Sequence, residues 1–257
     1  MNYFELNRES WNQRAKVHFG SSFYDVDGFM AGNTSLREIE LAELTEVSGR
    51  TLLHLQCHFG LDTLSWARLG AECTGVDISP VAIDKAKQLN EAVGLKAQFV
   101  CTDVYSYSRQ QVEPFDIVFT SYGTICWLPD LDKWAQQVSS NLVKGGTFYM
   151  ADFHPVYDLF SGYSYFDKRE PDVEEESTYT ENSGDLKVTM AVWSHPLGKV
   201  LNALVNAGIA IQRVNEFPFS PYPCFEGMTE REPGRYYIEH KGQDIPLVYS
   251  IMGQKID

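Results

Sequence analysis

The feature that most constrains this chain is a regular alternation over residues 51–153, where short apolar runs bounded by turn residues are separated by segments with helical spacing. TLLHL at 51–55, ECTGV at 72–76, AQFVC at 97–101, FDIVFTS at 115–121 and GGTFYMADF at 145–153 read as strands. Helices are expected over 35–47, 61–69, 80–92 and 131–142; the third places Pro80 in its first turn behind Ser79 and is stopped by Gly94. Near-continuous apolar strands joined by helices imply parallel pairing, right-handed crossovers and a sheet covered on both faces. The expected fold is therefore a doubly wound α/β sheet, in which ligands bind at the carboxyl ends of the strands.

The chain has 257 residues, 44% of them apolar, enough for one sizeable core. Beyond residue 153 its character changes. Residues 154–190 are polar, with an acidic run from Glu170 to Glu181 that reads as a solvated excursion. A helix at 197–208, a strand at 209–217, a Pro-rich stretch and a last strand at 246–252 complete the pattern. The formal charge of −14 disfavours nucleic acid and anionic membrane surfaces as partners, because binding to either is driven by clustered cations. It leaves open a pocket in which one or two buried arginines hold a small anion. Five scattered cysteines without a C-x-x-C pair argue against a structural zinc site and for a reducing cytoplasm. No uncharged stretch approaches the ~20 residues of a membrane span, so a soluble cytoplasmic protein is expected.

Residues 51–86 carry the chemistry. They read as strand, loop, helix, strand, acid, helix, and the acid, Asp77, ends the second strand after Gly75-Val76. A carboxylate there can accept two hydrogen bonds from a ribose diol, and its spacing from the Gly60 loop suits a nucleoside-containing cofactor lying across the strand ends. The alternative is a helix-capping or solvated aspartate. Such an acid would also suit an NAD-dependent oxidoreductase, but the G-x-G-x-x-G loop of that class is absent.

At these residues the chain resembles the class I S-adenosylmethionine-dependent methyltransferases. The family's first motif, acid-x-Gly-x-Gly-x-Gly, corresponds to His54, Gln56, His58 and Gly60, of which only the last glycine remains. TGVDIS at 74–79 resembles the second motif, CTDV at 101–104 the adenine-side acid, FDIVFTSYG at 115–123 the fourth strand and LVKGGTFYM at 142–150 the fifth. The resemblance covers roughly residues 35–155 and implies a Rossmann-like seven-stranded sheet, mostly parallel, with an antiparallel last strand. It implies S-adenosyl-L-methionine as cofactor, with S-adenosyl-L-homocysteine as product. Asp77 and Ile78 would meet the ribose, Thr102, Asp103 and Val104 the adenine, and Ser121 and Tyr122 the methionine portion. Replacing glycine by Gln56 and His58 means either that the loop backbone lies differently or that side chains meet the cofactor's amino-acid part. Gln56 would hydrogen-bond its amino or carboxylate group; His58 would do so, face the substrate, or bond only to local backbone.

Residues 1–34 read as an N-terminal helix followed by an aromatic, glycine-containing loop, and the resemblance implies that such a segment is a lid over the domain at 35–257. Trp11, Arg14 and His18 share one helical face. Arg14 is a natural partner for the cofactor carboxylate, because its guanidinium offers two parallel donors. Trp11 would stack on the cofactor, or with His18, Tyr24 and Trp127 form the acceptor pocket; simple packing is the competing explanation. A base is needed only for an acceptor that arrives protonated, and His154, after the fifth strand and oriented by Asp152, is the candidate. The insertion at about 154–195 would complete the acceptor pocket. The expected activity is methyl transfer to oxygen or nitrogen of a small molecule by a monomer or homodimer without a metal. A Rossmann oxidoreductase and a non-catalytic cofactor- or protein-binding module are the alternatives.

Overall fold

A computed structural model describes residues 2–107 and 113–256. The N-terminal helices are α1 (Tyr3–His18), α2 (Val26–Met30) and α3 (Glu38–Glu43). There follow β1 (Thr51–Leu55), α4 (Leu61–Arg68), β2 (Glu72–Asp77), α5 (Pro80–Ala92), β3 (Gln98–Cys101), β4 (Phe115–Ser121), α6 (Leu131–Asn141) and β5 (Leu142–Phe153). Next come α7 (Val156–Phe160), a hairpin of β6 (Asp172–Glu176) and β7 (Val188–Val192), α8 (Leu197–Asn206) and β8 (Ile209–Phe217). The short strands β9 (Phe219–Ser220), β10 (Thr229–Glu232), β11 (Arg235–Tyr237), β12 (Glu239–His240) and β13 (Gln243–Asp244) precede β14 (Val248–Lys255).

The seven-stranded sheet has the order β3-β2-β1-β4-β5-β14-β8. All its described pairings are parallel except those of β14, which runs antiparallel to both β5 and β8. This is the expected doubly wound sheet with an antiparallel last strand. Its central strands are buried on both faces. In β1, Leu52 faces a cluster with Trp66, Ile117 and Phe119, whereas Leu53 faces Val118, Trp134 and Phe148. A third cluster, built around Phe59, Ile83 and Phe99, packs α5 and the first loop against β3. Local capping agrees with the layout: Ser79 Oγ accepts the Ala82 N–H at 3.1 Å to open α5, with Pro80 next to it.

Three expectations change. The helix expected over 35–47 contracts to α3, because Ser35 is drawn out to Asp62 and Ser65, and Leu44 leaves the helical region at ψ 76°. The last strand is displaced to Val248–Lys255, and residues 219–244 before it build two small sheets. The segment at 154–195 contains α7 and the β6–β7 hairpin. That hairpin is spliced to α1 by a side-chain amide: Asn7 Nδ2 donates to the Ala191 carbonyl at 2.9 Å and Asn7 Oδ1 accepts the Ala191 N–H at 2.8 Å. On its other flank α1 reaches α5, where Ser79 Oγ donates to Asn12 Oδ1 at 2.8 Å.

Candidate active site

Chain order reverses between β1 and β4, and in sheets of this kind the crevice at such a reversal receives the ligand. Here that crevice opens into a cavity of about 1230 Å³ lined by the strand ends, α1, the loop before α3 and the hairpin. Its floor is the loop after β1. Gln56, His58 and Gly60 take φ values of 58°, 50° and 79°, so the alternating left-handed conformation of a glycine loop is kept by two residues that are not glycine. Each such residue costs about 1–2 kcal/mol of backbone strain. Surrounding bonds hold the shape: the Cys57 N–H reaches the Val76 carbonyl at 2.9 Å, the His58 N–H reaches Asp77 Oδ2 at 2.8 Å, and Gln56 Nε2 donates to the Thr124 carbonyl at 2.8 Å. The Gln56 and His58 side chains both line the cavity.

Asp77 ends β2 with both carboxylate oxygens engaged, one by His58 N–H and the other by Ser79 N–H at 2.8 Å. Burial raises its carboxyl to about 6, against the pull of those N–H groups. Ile78, Thr102, Asp103 and Val104 line the same end of the cavity. Asp103 Oδ1 accepts the N–H groups of Tyr105 and Ser106, both at 2.9 Å, so one of its oxygens caps a turn.

At the β1–β4 crevice a second polar group converges. His54, at the acid position of the motif, bonds through Nδ1 to Thr63 Oγ1 at 2.8 Å and through Nε2 to Ser121 Oγ at 3.4 Å; burial lowers it to about 4 and keeps it neutral. Asp62, in the first turn of α4, accepts from Ser35 Oγ at 2.6 Å and Ser121 Oγ at 3.2 Å. The Arg37 guanidinium lies 4.3 Å from the Tyr222 ring centroid, and its Nε is buried without a partner. Asp62, Arg37 and Tyr222 line the cavity but were not singled out from the sequence. Glu40, wholly buried behind them, did carry a signal, being an acid at an apolar helical position. It accepts the Arg37 N–H at 2.6 Å and the Tyr122 hydroxyl at 2.8 Å.

Burial, and then the neighbouring Asp62, raise Glu40 to about 8. Because the folded value lies above the unfolded one, ionisation favours the unfolded chain, and stability is lost as pH rises from about 4.5 through 8. Glu40→Gln is therefore expected to flatten the fall in melting temperature between pH 6 and 9, with each kcal/mol recovered worth about 2–4 °C. Parallel pH curves for the two proteins would show that Glu40 does not titrate in this range.

The α1 side of the cavity is aromatic. Trp11 and Trp127 rings sit 5.0 Å apart, and Trp11 also lies 5.1 Å from His58 and 6.2 Å from His18. His18 Nδ1 meets His58 Nε2 at 3.1 Å, and Tyr24 and Tyr179 share a hydroxyl contact of 2.5 Å. The structure thus brings Trp11, Arg14, His18, Tyr24, His58 and Trp127 together, with His18 set behind the cavity wall.

His154 and Asp152 do not join them. His154 Nε2 is bonded to Glu216 at 2.8 Å and Nδ1 accepts the Val156 N–H at 3.1 Å, so both nitrogens are committed outside the cavity lining. His154 is corrected from a candidate base to the residue that closes the end of β5. Asp152 points to the other side of that strand end and accepts the N–H groups of Gly123, Thr124 and Ile125, fixing the loop after β4 rather than orienting His154. The reading of the acidic run as solvated is also corrected in part. Residues alternate along β6, and Asp172, Glu174 and Glu176 share the face that lines the cavity.

Residues 52–146 match the family model for a methyltransferase domain. A ubiquinone biosynthesis O-methyltransferase from Xanthomonas euvesicatoria pv. vesicatoria is 23% identical over 221 residues, 83% of this chain and 86% of that protein. An S-adenosylmethionine-dependent methyltransferase from Mesorhizobium loti superposes with a TM-score of 0.59 at 21% identity, covering 88% of this chain and 99% of its own. The magnesium protoporphyrin IX methyltransferase of Synechocystis, solved with bound S-adenosylmethionine, gives 0.53 at 12% identity over 99% and 98% of the two chains. The chain carries a methyltransferase domain on the fold of S-adenosylmethionine-dependent methyltransferases. Among the described residues, no helix is long and apolar enough to cross a membrane.

The cavity fits that cofactor on its own terms. Gln56 Oε1 is a buried acceptor without a partner and suits an ammonium group; Arg37 Nε is a buried donor without a partner and suits a carboxylate. Asp77 and Asp103 each retain acceptor capacity at the other end.

Proposed function

We propose that the protein methylates an oxygen or nitrogen of a small molecule in the cytoplasm, as a monomer or homodimer, with no nucleic-acid or membrane partner. The observation that carries this reading is the cavity at the strand ends: about 1230 Å³ exceeds the ~300–1,000 Å³ of ordinary ligand pockets and leaves room for cofactor and acceptor together. Asp77 and Ile78 take the ribose, and Thr102, Asp103 and Val104 the adenine. Ser121, Tyr122, Gln56 and Gly60 enclose the amino-acid end, with Arg37 better placed than Arg14 for its carboxylate because its Nε is buried without a partner and its neighbour Asp62 is bonded to Ser121.

When bound, S-adenosylmethionine supplies an electrophilic methyl group on a sulfonium. The chain's own work is orientation and exclusion of water. Residues 1–34 and the hairpin act as the cover, closing the cavity from the side opposite the strands. The O-methyltransferase among its relatives favours oxygen as the methylated atom. Calorimetric titration with S-adenosylhomocysteine and, separately, NADH tests the reading: tight binding of the former with none of the latter is expected. A preference for NADH would sink it in favour of oxidoreduction, and binding of neither would favour a non-catalytic module.

A further inference from the structure

We infer that the methyl acceptor is an aromatic acid and that Arg14 receives its anionic group; this deepens the methyltransferase reading above and rests on it. Arg14 is 4% exposed yet lines the cavity. Its donors reach Ser10 Oγ at 3.4 Å, Thr178 Oγ1 at 3.2 Å, the Ser177 carbonyl at 3.4 Å and Met190 Sδ at 3.2 Å. All four acceptors are neutral, and among the described residues the guanidinium has no ion pair. Glu176 is the acid that acts on it electrostatically, from an exposed position on the hairpin. A cation removed from water without a counter-ion is costly, and such groups are kept where a ligand completes them.

A second polar group faces the same space. Thr178 Oγ1 accepts from Arg14 and lies 2.5 Å from His18 Nε2, and His18 Nδ1 lies 3.1 Å from His58 Nε2. The remaining ring nitrogen, His58 Nδ1, is buried without a partner, and His58 lines the cavity. Arg14 thus offers an anion a charged donor, with the polar edge of the His58 ring in the same cavity. The anion is carried on a ring because the flanking surfaces are rings: the Arg14 guanidinium carbon stands 5.8 Å from the centroids of both Trp11 and Trp127. Arg37 does not compete for the same group. Its neighbours are Tyr222, Asp62 and Glu40, whereas those of Arg14 are Tyr179, Glu176 and Tyr24.

The test uses full-length protein saturated with S-adenosylhomocysteine and matched probes: benzoate, 4-hydroxybenzoate and indole-3-acetate, each beside its amide. At least one acid is expected to bind about tenfold more tightly than its amide. Arg14→Met should bring that acid to the level of its amide, Arg14→Lys should restore part of the difference, and the affinity for S-adenosylhomocysteine should stay within about twofold of wild type. Absence of a preference for the acid in every pair overturns the inference, and needs no variant to be read. So does a loss of S-adenosylhomocysteine affinity in Arg14→Met as large as the loss for the acid, which would assign the guanidinium to the cofactor. If the wild-type protein fails to bind S-adenosylhomocysteine, it is the methyltransferase reading that has failed.

Discussion

Asp77→Ala is expected to abolish measurable binding of S-adenosylhomocysteine and to lower the melting temperature as well. The carboxylate holds the N–H groups of His58 and Ser79, one in the loop after β1 and one at the start of α5. Alanine strands both donors in a buried setting, at about 1–3 kcal/mol for each. The loop that lines the cavity floor then loses the bond that fixes His58 in its left-handed conformation. Affinity falls twice, through loss of the proposed contact to the ribose and through disorder of the neighbouring loop. Asp77→Asn should fall between wild type and the alanine variant, because it keeps the volume and one acceptor oxygen but turns an amide NH2 toward one of the two N–H groups. Titration calorimetry and thermal unfolding on the same preparations report both effects. Affinity unchanged in the alanine variant would remove Asp77 from the cofactor site.

Gly60→Ala should have a comparable effect by a different route. A Cβ at Gly60 would lie 2.6 Å from Phe99 Cε1 and 3.1 Å from the Ala86 Cβ, on a backbone with φ 79°. Left-handed strain contributes about 1–2 kcal/mol and the forced displacement of a packed ring about 1–3 kcal/mol. Phe99 cannot retreat freely, since it also closes over Gly75 and packs with Ile83 and Phe59. The expected result is a loss of about 2–5 kcal/mol in denaturant unfolding, with weakened cofactor binding. Phe99→Leu combined with Gly60→Ala should recover part of it by making room. A stability equal to wild type in the single variant would mean that the ring does not pack as described.

The fold was legible where local signals agreed with one another. Strands β1, β2 and β4, with their intervening helices, are apolar runs between good caps, and the sheet they form follows from short right-handed connections. The acid at Asp77 and the remaining glycine at Gly60 point to the end of the sheet where the cavity lies. What stayed hidden depended on distant chain. Arg37 follows a segment tied to α4 through Ser35 and Asp62, and the β6 acids line the cavity on a hairpin anchored to α1 through Asn7. His154 was misplaced for the same reason: its partner Glu216 lies on β8, with only β14 between that strand and β5, and nothing near residue 154 announces it.

The loop at 56–60 also bears on how such a protein can change over generations. A glycine loop admits a side chain only by accepting backbone strain, so its chemistry is closed to gradual variation. In this chain that barrier has already been crossed at two positions, with neighbouring bonds absorbing the cost. Further substitution at residue 58 exchanges one strained side chain for another and adds little new backbone penalty, because its bond to Asp77 runs through the backbone N–H. Both side chains line the cavity. Selection, or a directed library, can therefore explore ligand preference at residue 58 with the loop conformation inherited, whereas a change at residue 56 also removes the side-chain bond to the Thr124 carbonyl.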